Sequence, residues 1–92
     1  MYHVYILRCS DGSLYVGSTD NLSSRLRRHI EGRGARHTAT RRPVRLTYAE
    51  PHPDRSSALR REKQIKRWTA TKKAALCRGD LAALHSLAKR CS

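Results

Sequence analysis

The beginning of the chain constrains its fold more than any other part does. Residues His3–Arg8 are rich in β-branched and aromatic side chains, and Leu14–Gly17 has the same character. Between them, Ser10–Ser13 is polar and contains Gly12, a composition typical of a tight turn. Two short strand-like runs on either side of a glycine-containing turn predict a β-hairpin.

A helix is predicted directly after the hairpin, from about Asn21 to Glu31. Asp20 is placed to cap its first turn, and Gly32 is placed to end it. The spacing of three apolar residues, at i, i+4 and i+8, predicts the buried stripe of this helix. These residues are Leu22, Leu26 and Ile30.

The middle of the chain divides into a loop and a strand. Residues 32–43 contain Gly, Pro and many cations without any periodicity, which predicts a mobile basic loop. Residues Val44–Glu50 alternate in polarity and predict a third strand, ended by Pro51 and Pro53.

The second half of the chain is predicted to be helical. Asp54 can cap a helix that runs to about Trp68, and Thr71 can cap a short helix through Leu76. Gly79 ends this part, and Asp80 can cap a last helix. The inward positions of the first of these helices are predicted to be Ala58, Leu59, Ile65 and Trp68. The predicted order β-β-α-β-α-α-α describes one α+β domain with a small three-stranded antiparallel sheet flanked by helices.

The charge of the chain indicates its class of partner. The 92 residues hold 20 Lys and Arg against 7 acidic residues, a formal net charge of +13, and 15 of the cations are Arg. Such a field attracts polyanions, and the planar Arg fork suits phosphate oxygens. Because no stretch is apolar enough to span a bilayer and the cations are spread along the chain, we expect nucleic acid rather than a membrane.

The three cysteines, Cys9, Cys77 and Cys91, favour a reducing compartment. Their number is odd, and their spacing matches neither a disulfide framework nor a zinc site. With no signal peptide at the start of the sequence, the expected location is the cytoplasm.

Glu62 is the acidic residue whose position is hardest to explain. The other six lie in a turn, before helices or at the ends of elements, whereas Glu62 falls within a helix on the face of Ala58, Leu59 and Ile65. A carboxylate on such a face needs a partner. That partner is either an arginine in a buried ion pair or a hard divalent cation.

A second cluster is predicted between the hairpin and the first helix. Tyr5 and Tyr15 lie in the two strands, while Arg25 and His29 are four residues apart, one above the other on the helix. Each could be structural: the tyrosines as ordinary strand aromatics, Arg25 as a solvated cation, His29 as a core residue. Arg25 and His29 border the apolar stripe of the helix, so both could point toward the sheet.

These residues, taken in order, resemble the motifs of the GIY-YIG nuclease superfamily. Val4-Tyr5-Ile6 matches the first half of its signature and Tyr15-Val16-Gly17 the second, and Arg25, His29 and Glu62 follow in the expected order. The resemblance is to the short single-domain bacterial members, in the branch shared with the bacterial excinuclease and the intron-encoded homing endonucleases. It implies a nuclease domain over residues 1–78, with residues 79–92 as a helical extension of the same domain.

The resemblance also implies roles for these residues. Tyr5 or His29 would act as general base, and Tyr15 would lie beside the scissile phosphate. Arg25 would neutralise charge on the phosphoryl oxygens, and Glu62 would bind one Mg²⁺ or Mn²⁺ ion.

One motif position remains to be named, and three positions depart from the family pattern. Gly17 would let the backbone turn tightly into the helix. Ser18 stands where many members have Lys, the first motif lacks its Gly, and no Asn follows Glu62 in the next segment.

Three functions are therefore compared. The first is a divalent-metal-dependent endonuclease that cuts DNA with low sequence specificity, with a possible place in DNA repair or processing. The second is a nucleic-acid-binding module that keeps the fold without useful catalysis, and the third is an RNA-associated basic protein. The expected partner is a nucleic acid, DNA in preference to RNA. Auxiliary contacts to it are expected from Arg33, Arg36, Arg41, Arg42, Lys63, Lys66 and Arg67.

Overall fold

The computed structural model describes residues 1–79 of the chain. Its elements in this range are β1 (Tyr2–Arg8), β2 (Leu14–Thr19), α1 (Leu22–Ile30), α2 (Arg36–Ala39), β3 (Arg45–His52), α3 (Arg55–Lys66) and α4 (Ala70–Arg78). Apart from the short α2, this is the predicted order, and the α+β class is confirmed. The predicted last helix from Asp80, and almost all of the predicted extension, lie outside the described residues.

Strand β1 is the centre of a three-stranded antiparallel sheet with the order β2-β1-β3. Tyr5 pairs with Gly17 on one side and with Ala49 on the other. The residues of β1 from Val4 to Leu7 are fully buried without interruption. Four consecutive buried residues point alternately to the two faces of the sheet, so both faces must be covered at this strand.

The two faces of the sheet have different contents. Val4, Ile6 and Val16 face α3 and α4 and form the hydrophobic core with Ala58 and Ile65. The alternate residues of β1 and β2 point to the opposite face because side chains alternate along a strand. There Tyr5 meets α1 and α2 through buried polar side chains, so this second face is the polar one.

Helix α1 differs in detail from its prediction. Asn21, not Asp20, is its N-cap, since the Asn21 side chain accepts a hydrogen bond from the Ser24 amide. Ile30 is 53% exposed, so its place in the buried stripe was wrong. His29 is buried instead, because its ring is hydrogen-bonded between β1 and the segment that contains α2.

The predicted mobile loop holds the short helix α2, so the expectation of an irregular loop was wrong for that part. The segment is attached to the hairpin turn by an ion pair between Arg41 and Asp11, with 2.9 Å between Nε and Oδ2. His37 Nε2 lies 3.0 Å from the Ser13 hydroxyl in the same turn. Such long-range contacts are invisible to local periodicity.

Strand β3 runs through Pro51 to His52, beyond its predicted end. It is an edge strand, paired only with β1, and an edge position can tolerate a residue without an N–H group. Its ladder with β1 is interrupted by an irregularity between Ile6 and Leu7.

Helices α3 and α4 meet at a tight corner. Helix α3 ends at Lys66, and α4 begins after Thr69, which caps it in place of the predicted Thr71. Trp68 lies between them and packs against the core, as predicted, whereas Leu59 is exposed and its inward assignment was wrong. The reason is that the core-facing side of α3 is narrow and is filled by Ala58 and Ile65.

The described cysteines are free thiols. Cys9 is buried and Cys77 half-buried, while Cys91 lies outside the described residues. None of the helices between residues 1 and 79 is long and apolar enough to span a membrane.

Candidate active site

Three rings from three elements meet on the polar face of the sheet. The ring centroids of Tyr15 and His29 are 5.2 Å apart, those of Tyr5 and His29 5.8 Å, and those of the two tyrosines 6.5 Å. His37 of α2 stacks on the outer side of this cluster, with its centroid 6.0 Å from that of Tyr15. The structure therefore brings together the two tyrosines and the histidine that the sequence singled out.

A chain of hydrogen bonds determines which ring nitrogen of His29 carries the proton. Thr38 Oγ1 donates to the carbonyl oxygen of Ala35 at 2.9 Å, so it can only accept in its 2.8 Å contact with His29 Nδ1. We therefore assign the proton of neutral His29 to Nδ1. Nε2 then has a free lone pair and accepts the proton of the Tyr5 hydroxyl at 3.0 Å.

The electrostatic setting keeps this pair neutral. Burial of the phenol, reinforced by the neighbouring Tyr15, raises the pKa of Tyr5 to about 12, although the charge of Arg25 acts in the opposite direction. Burial, followed by the charges of Arg25 and Arg28, lowers the pKa of His29 below its ordinary value of 6.5. At neutral pH Tyr5 is thus a protonated phenol and His29 an uncharged base.

Arg25 lies one helical turn before His29 and faces the same space. It lines a pocket of about 310 Å³ together with Tyr15, His29 and two further arginines, Arg28 and Arg33. On its other side it borders a pocket of about 350 Å³ that reaches Ser18 of β2. A space lined by aromatic rings and guanidinium groups suits a phosphate oxyanion.

Glu62 approaches from α3, on the core side of the edge strand β2. The Ser18 hydroxyl donates to its Oε1 at 2.5 Å, and Lys66 Nζ lies 2.6 Å from its Oε2. The expected partner of this carboxylate was an arginine or a metal ion, and the structure gives it a lysine four residues further along the helix. Ser18 also borders the 350 Å³ pocket that Arg25 lines, so the carboxylate adjoins the space that Arg25 faces.

The donor set around Glu62 fits a hard divalent cation of low protein coordination. Among residues 1–79, no group of three or more His, Cys, Asp or Glu residues could form a closed metal site. Mg²⁺ accepts one or two protein carboxylates and takes its other ligands from phosphate and water. Glu62, with the Ser18 hydroxyl beside it, meets that requirement once the Lys66 ammonium moves away from Oε2.

Gly17 has a different role from the one implied by the resemblance. It lies within β2 opposite Tyr5 rather than at a turn, so that expectation was wrong. A Cβ atom at this position would lie 2.5 Å from Tyr5 Oη and 2.6 Å from Tyr5 Cζ. Glycine is needed here because the Tyr5 ring lies across the backbone of β2.

Sequence reasoning missed Thr38 and Gly34, which support His29 from its far side. Thr38 is fully buried and holds Nδ1, and a side chain at Gly34 would collide with the imidazole ring. Nothing in the local pattern distinguishes these two residues from the rest of a basic loop. Only their contact with a histidine in another element reveals them.

The predicted nucleic-acid contacts are scattered over different surfaces. Three of the seven are in ion pairs: Arg33 with Glu31, Arg41 with Asp11 and Lys66 with Glu62. Arg33 also borders the 310 Å³ pocket beside Arg25 and His29. Lys63 and Arg67 line a separate pocket between α3 and α4. The other two, Arg36 and Arg42, are exposed.

A second half-buried carboxylate, Glu50 of β3, has a more complete set of partners. The Tyr48 hydroxyl donates to Oε1 at 2.5 Å, His52 Nε2 lies 2.6 Å from Oε2, and Arg61 Nε lies 3.1 Å from Oε2. Although burial raises the pKa of Glu50, these hydrogen bonds and the charge of Arg61 outweigh it and lower the pKa below 4.5. The cluster attaches α3 to β3.

Comparison with known proteins agrees with this architecture. The family model described as the GIY-YIG catalytic domain matches residues 1–75. UPF0213 proteins of Staphylococcus aureus, from strain Mu3 / ATCC 700698 and from strain N315, are each 47% identical over 72 residues, which cover 78% of this chain and 88% of theirs.

A solved structure is similar as well. It is the solution NMR structure of the UPF0213 protein BH0048 from Bacillus halodurans, which is 37% identical to this chain with a TM-score of 0.56. The similarity covers 87% of this chain and 86% of that protein.

Proposed function

This chain belongs to the family of the GIY-YIG catalytic domain, and we propose that it is a divalent-metal-dependent endonuclease that hydrolyses phosphodiester bonds in DNA. The observation that carries the proposal is the hydrogen bond from Tyr5 to a neutral, tautomerically defined His29, beside Arg25. A nuclease needs an activated nucleophile, a cation on the phosphoryl oxygens and stabilisation of the leaving oxygen.

Tyr5 and His29 activate the attacking water as a pair. Tyr5 alone is a poor base because its pKa of about 12 keeps the phenol protonated. His29 Nε2 takes the phenol proton while Tyr5 Oη takes a proton from water, so the hydroxide attacks phosphorus and His29 becomes an imidazolium. Thr38 still accepts from Nδ1–H in that state, which keeps the ring in place.

Arg25 and Tyr15 bind the phosphate under attack. Arg25 donates to the non-bridging oxygens, whose negative charge grows in the transition state. Tyr15, which packs against His29, positions the phosphate over the ring cluster.

Glu62 and Ser18 would hold one Mg²⁺ or Mn²⁺ ion. When bound, such an ion stabilises charge on the leaving oxygen. Lys66 must release Oε2 for this, and its half-exposed side chain is free to swing into solvent.

The distribution of cations on the surface supports a nucleic-acid substrate that is bound through its phosphates. Because cations are spread over the whole domain, affinity would come from phosphate contacts and fall steeply with salt, with little sequence specificity. We extend the proposal to DNA in preference to RNA and to a role in cytoplasmic DNA repair or processing. Competition between DNA and RNA of equal length tests the first of these extensions.

A nicking assay with Mg²⁺ or Mn²⁺ tests the proposed activity. We expect Glu62→Gln and Arg25→Ala to abolish cleavage by the protein, and Glu50→Gln to cut like the parent as a matched carboxylate control. If the first two variants cut as well as the parent, the assigned site is wrong.

A second candidate function is a binding module that has kept the fold without catalysis. The ion pair between Lys66 and Glu62 favours it, because it already satisfies the carboxylate that should bind metal. This alternative predicts no cleavage with any divalent ion and salt-dependent binding that Glu62→Gln leaves unchanged.

A further inference from the structure

The corner between α3 and α4 forms a concave pocket on the side of α3 away from Glu62. Its volume is about 580 Å³. It is lined by Arg60, Lys63, Gln64, Arg67, Trp68 and Lys72.

The charged residues that line this pocket are all positive. Four of its six lining residues are cations and none is acidic. Among residues 1–79, none of these four cations has a carboxylate within ion-pair distance; the nearest acidic residue on the helix, Glu62, is paired with Lys66. Cations that converge without counter-charges repel one another, and a bound anion relieves that repulsion.

Lys72 is the most buried of the four cations that line the pocket. The residue is only 6% exposed, its ammonium lies 4.3 Å from the centre of the Trp68 ring, and no carboxylate among residues 1–79 is within ion-pair distance of it. A cation–π contact holds the ammonium beside the ring but supplies no counter-charge. Arg61 lies 5.1 Å from the same ring centre, but its charge is already paired with Glu50.

We propose that this corner pocket binds a backbone phosphate of the nucleic-acid substrate, with Lys72 as its central contact and Arg60, Lys63 and Arg67 around it. The proposal rests on the proposed function for the identity of the ligand. The pocket and Glu62 lie on two sides of one helix, separated by about 10 Å, the diameter of a helix with side chains. Phosphates of one strand are about 3.4 Å apart along the duplex axis, so the pocket holds a phosphate a few nucleotides from the cleavage point.

The salt dependence of DNA binding tests the pocket without any cleavage. Binding of a fluorescein-labelled DNA duplex to the full chain is followed by anisotropy in EDTA over a series of KCl concentrations. Lys72→Met keeps most of the buried stem and removes the charge, so the slope of log K against log[salt] should shrink by about 1. Lys73→Met is the matched control, because Lys73 is the next residue of α4 and does not line the pocket.

A second variant guards against a folding defect in Lys72→Met. Arg67→Gln changes an exposed pocket residue, and its slope should shrink by a similar amount while its thermal unfolding stays that of the parent. If Lys72→Met and Arg67→Gln have the same slope as Lys73→Met, the proposal is overturned. Because the measurement contains no divalent ion, a parent that never cuts DNA would still give the predicted slopes.

Trp68 is the only tryptophan of the chain and reports directly on the pocket. DNA should shift its emission, because a phosphate that pairs with Lys72 alters the charge over the indole ring. Inorganic phosphate at constant ionic strength is the second arm. An emission change with inorganic phosphate, together with unchanged DNA slopes in both variants, would assign the pocket to a free anion and overturn its role for nucleic acid.

Discussion

Glu50 and Glu62 are equally buried carboxylates with different surroundings. Their side chains are 17% and 16% exposed. Glu50 is enclosed by three side chains, from Tyr48, His52 and Arg61, that occupy both of its oxygens. Glu62 has one serine hydroxyl and one lysine whose own side chain is about half exposed.

The difference shows that burial alone does not identify a functional carboxylate. A carboxylate with a closed set of partners contributes to stability, since removing it leaves those partners without a counter-charge. A carboxylate whose partner can leave retains the capacity to bind another cation. The first belongs to the joint between β3 and α3, and the second to the edge of β2 beside the ring cluster.

The largest expected effect is on cleavage. Glu62→Gln should lower kcat by about 1,000-fold, because the amide binds a divalent ion poorly and the charge on the leaving oxygen is then unstabilised. Glu50→Gln should leave kcat within about 2-fold of the parent. Single-turnover nicking rates at saturating Mg²⁺ measure both; equal losses in the two variants would end the distinction.

Stability should show the opposite order. Glu50→Gln is expected to lower the free energy of unfolding by about 2 kcal/mol, since Arg61 and His52 lose a charged acceptor. Glu62→Gln should change it by less than about 0.5 kcal/mol, as its ion pair with Lys66 is exposed on one side. Urea unfolding followed by circular dichroism compares the two, and a larger loss for Glu62→Gln would contradict the assignment.

His29, like Glu50, has a hydrogen-bond partner at each of its polar atoms: Thr38 at Nδ1 and Tyr5 at Nε2. Thr38→Val should lower kcat by about 10-fold, because Nδ1–H loses its acceptor and the ring no longer keeps Nε2 free for Tyr5. Thr38→Ser restores the hydroxyl and should restore the rate. In ¹⁵N NMR spectra of the imidazole, Thr38→Val should show mixed tautomers, and a single unchanged tautomer would refute this role.

Lys66 provides a smaller and more specific test. If its ammonium competes with a metal ion for Glu62, Lys66→Met should bind Mn²⁺ about 3- to 5-fold more tightly, a change of about 1 kcal/mol or less for a partly exposed pair. Calorimetric titration of Mn²⁺ in the absence of DNA measures this directly. Weaker binding in Lys66→Met would mean that the lysine supports the site rather than blocking it.

The smallest expected effect concerns acid stability. The pKa of Glu50 is lowered in the folded protein, so its contribution is fully present above its ordinary value of 4.5 and is lost as the pH falls through the folded-state pKa. The gap in stability between the parent and Glu50→Gln should therefore be constant at neutral pH and narrow only below about pH 4.5. A gap that already narrows near neutral pH would contradict this assignment.

The elements of the fold were predictable because their signals are local. The hairpin, the alternation of β3 and the capping of α3 by Asp54 all follow from residues within a few positions of one another. The predictions were wrong where contacts with distant residues override the local pattern. His29 is buried at the end of α1 in place of Ile30. Strand β3 continues through Pro51 because it is an edge strand.

Part of the candidate site was predictable for a related reason. Tyr5, Tyr15 and His29 were singled out from the sequence and share one ring cluster, and Glu62 was recognised as misplaced on its helix. Thr38, Gly34 and the partners of Glu50 were not found, because loop residues and long side chains carry no periodic signal.

The sequence by itself determined the order of the longer elements within residues 1–79, the faces on which most of the singled-out residues lie, and a net charge that favours a polyanionic partner. Only the tertiary structure decided that Glu50 is enclosed while Glu62 is open, that Thr38 orients His29, and that Lys72 lies in a pocket whose four cations form no ion pair within residues 1–79. The physical reason is that spacing along a chain defines which residues share a face. The residues that this face contacts depend on how separate elements pack. Those contacts set the charge state and the hydrogen bonds of a carboxylate or an imidazole.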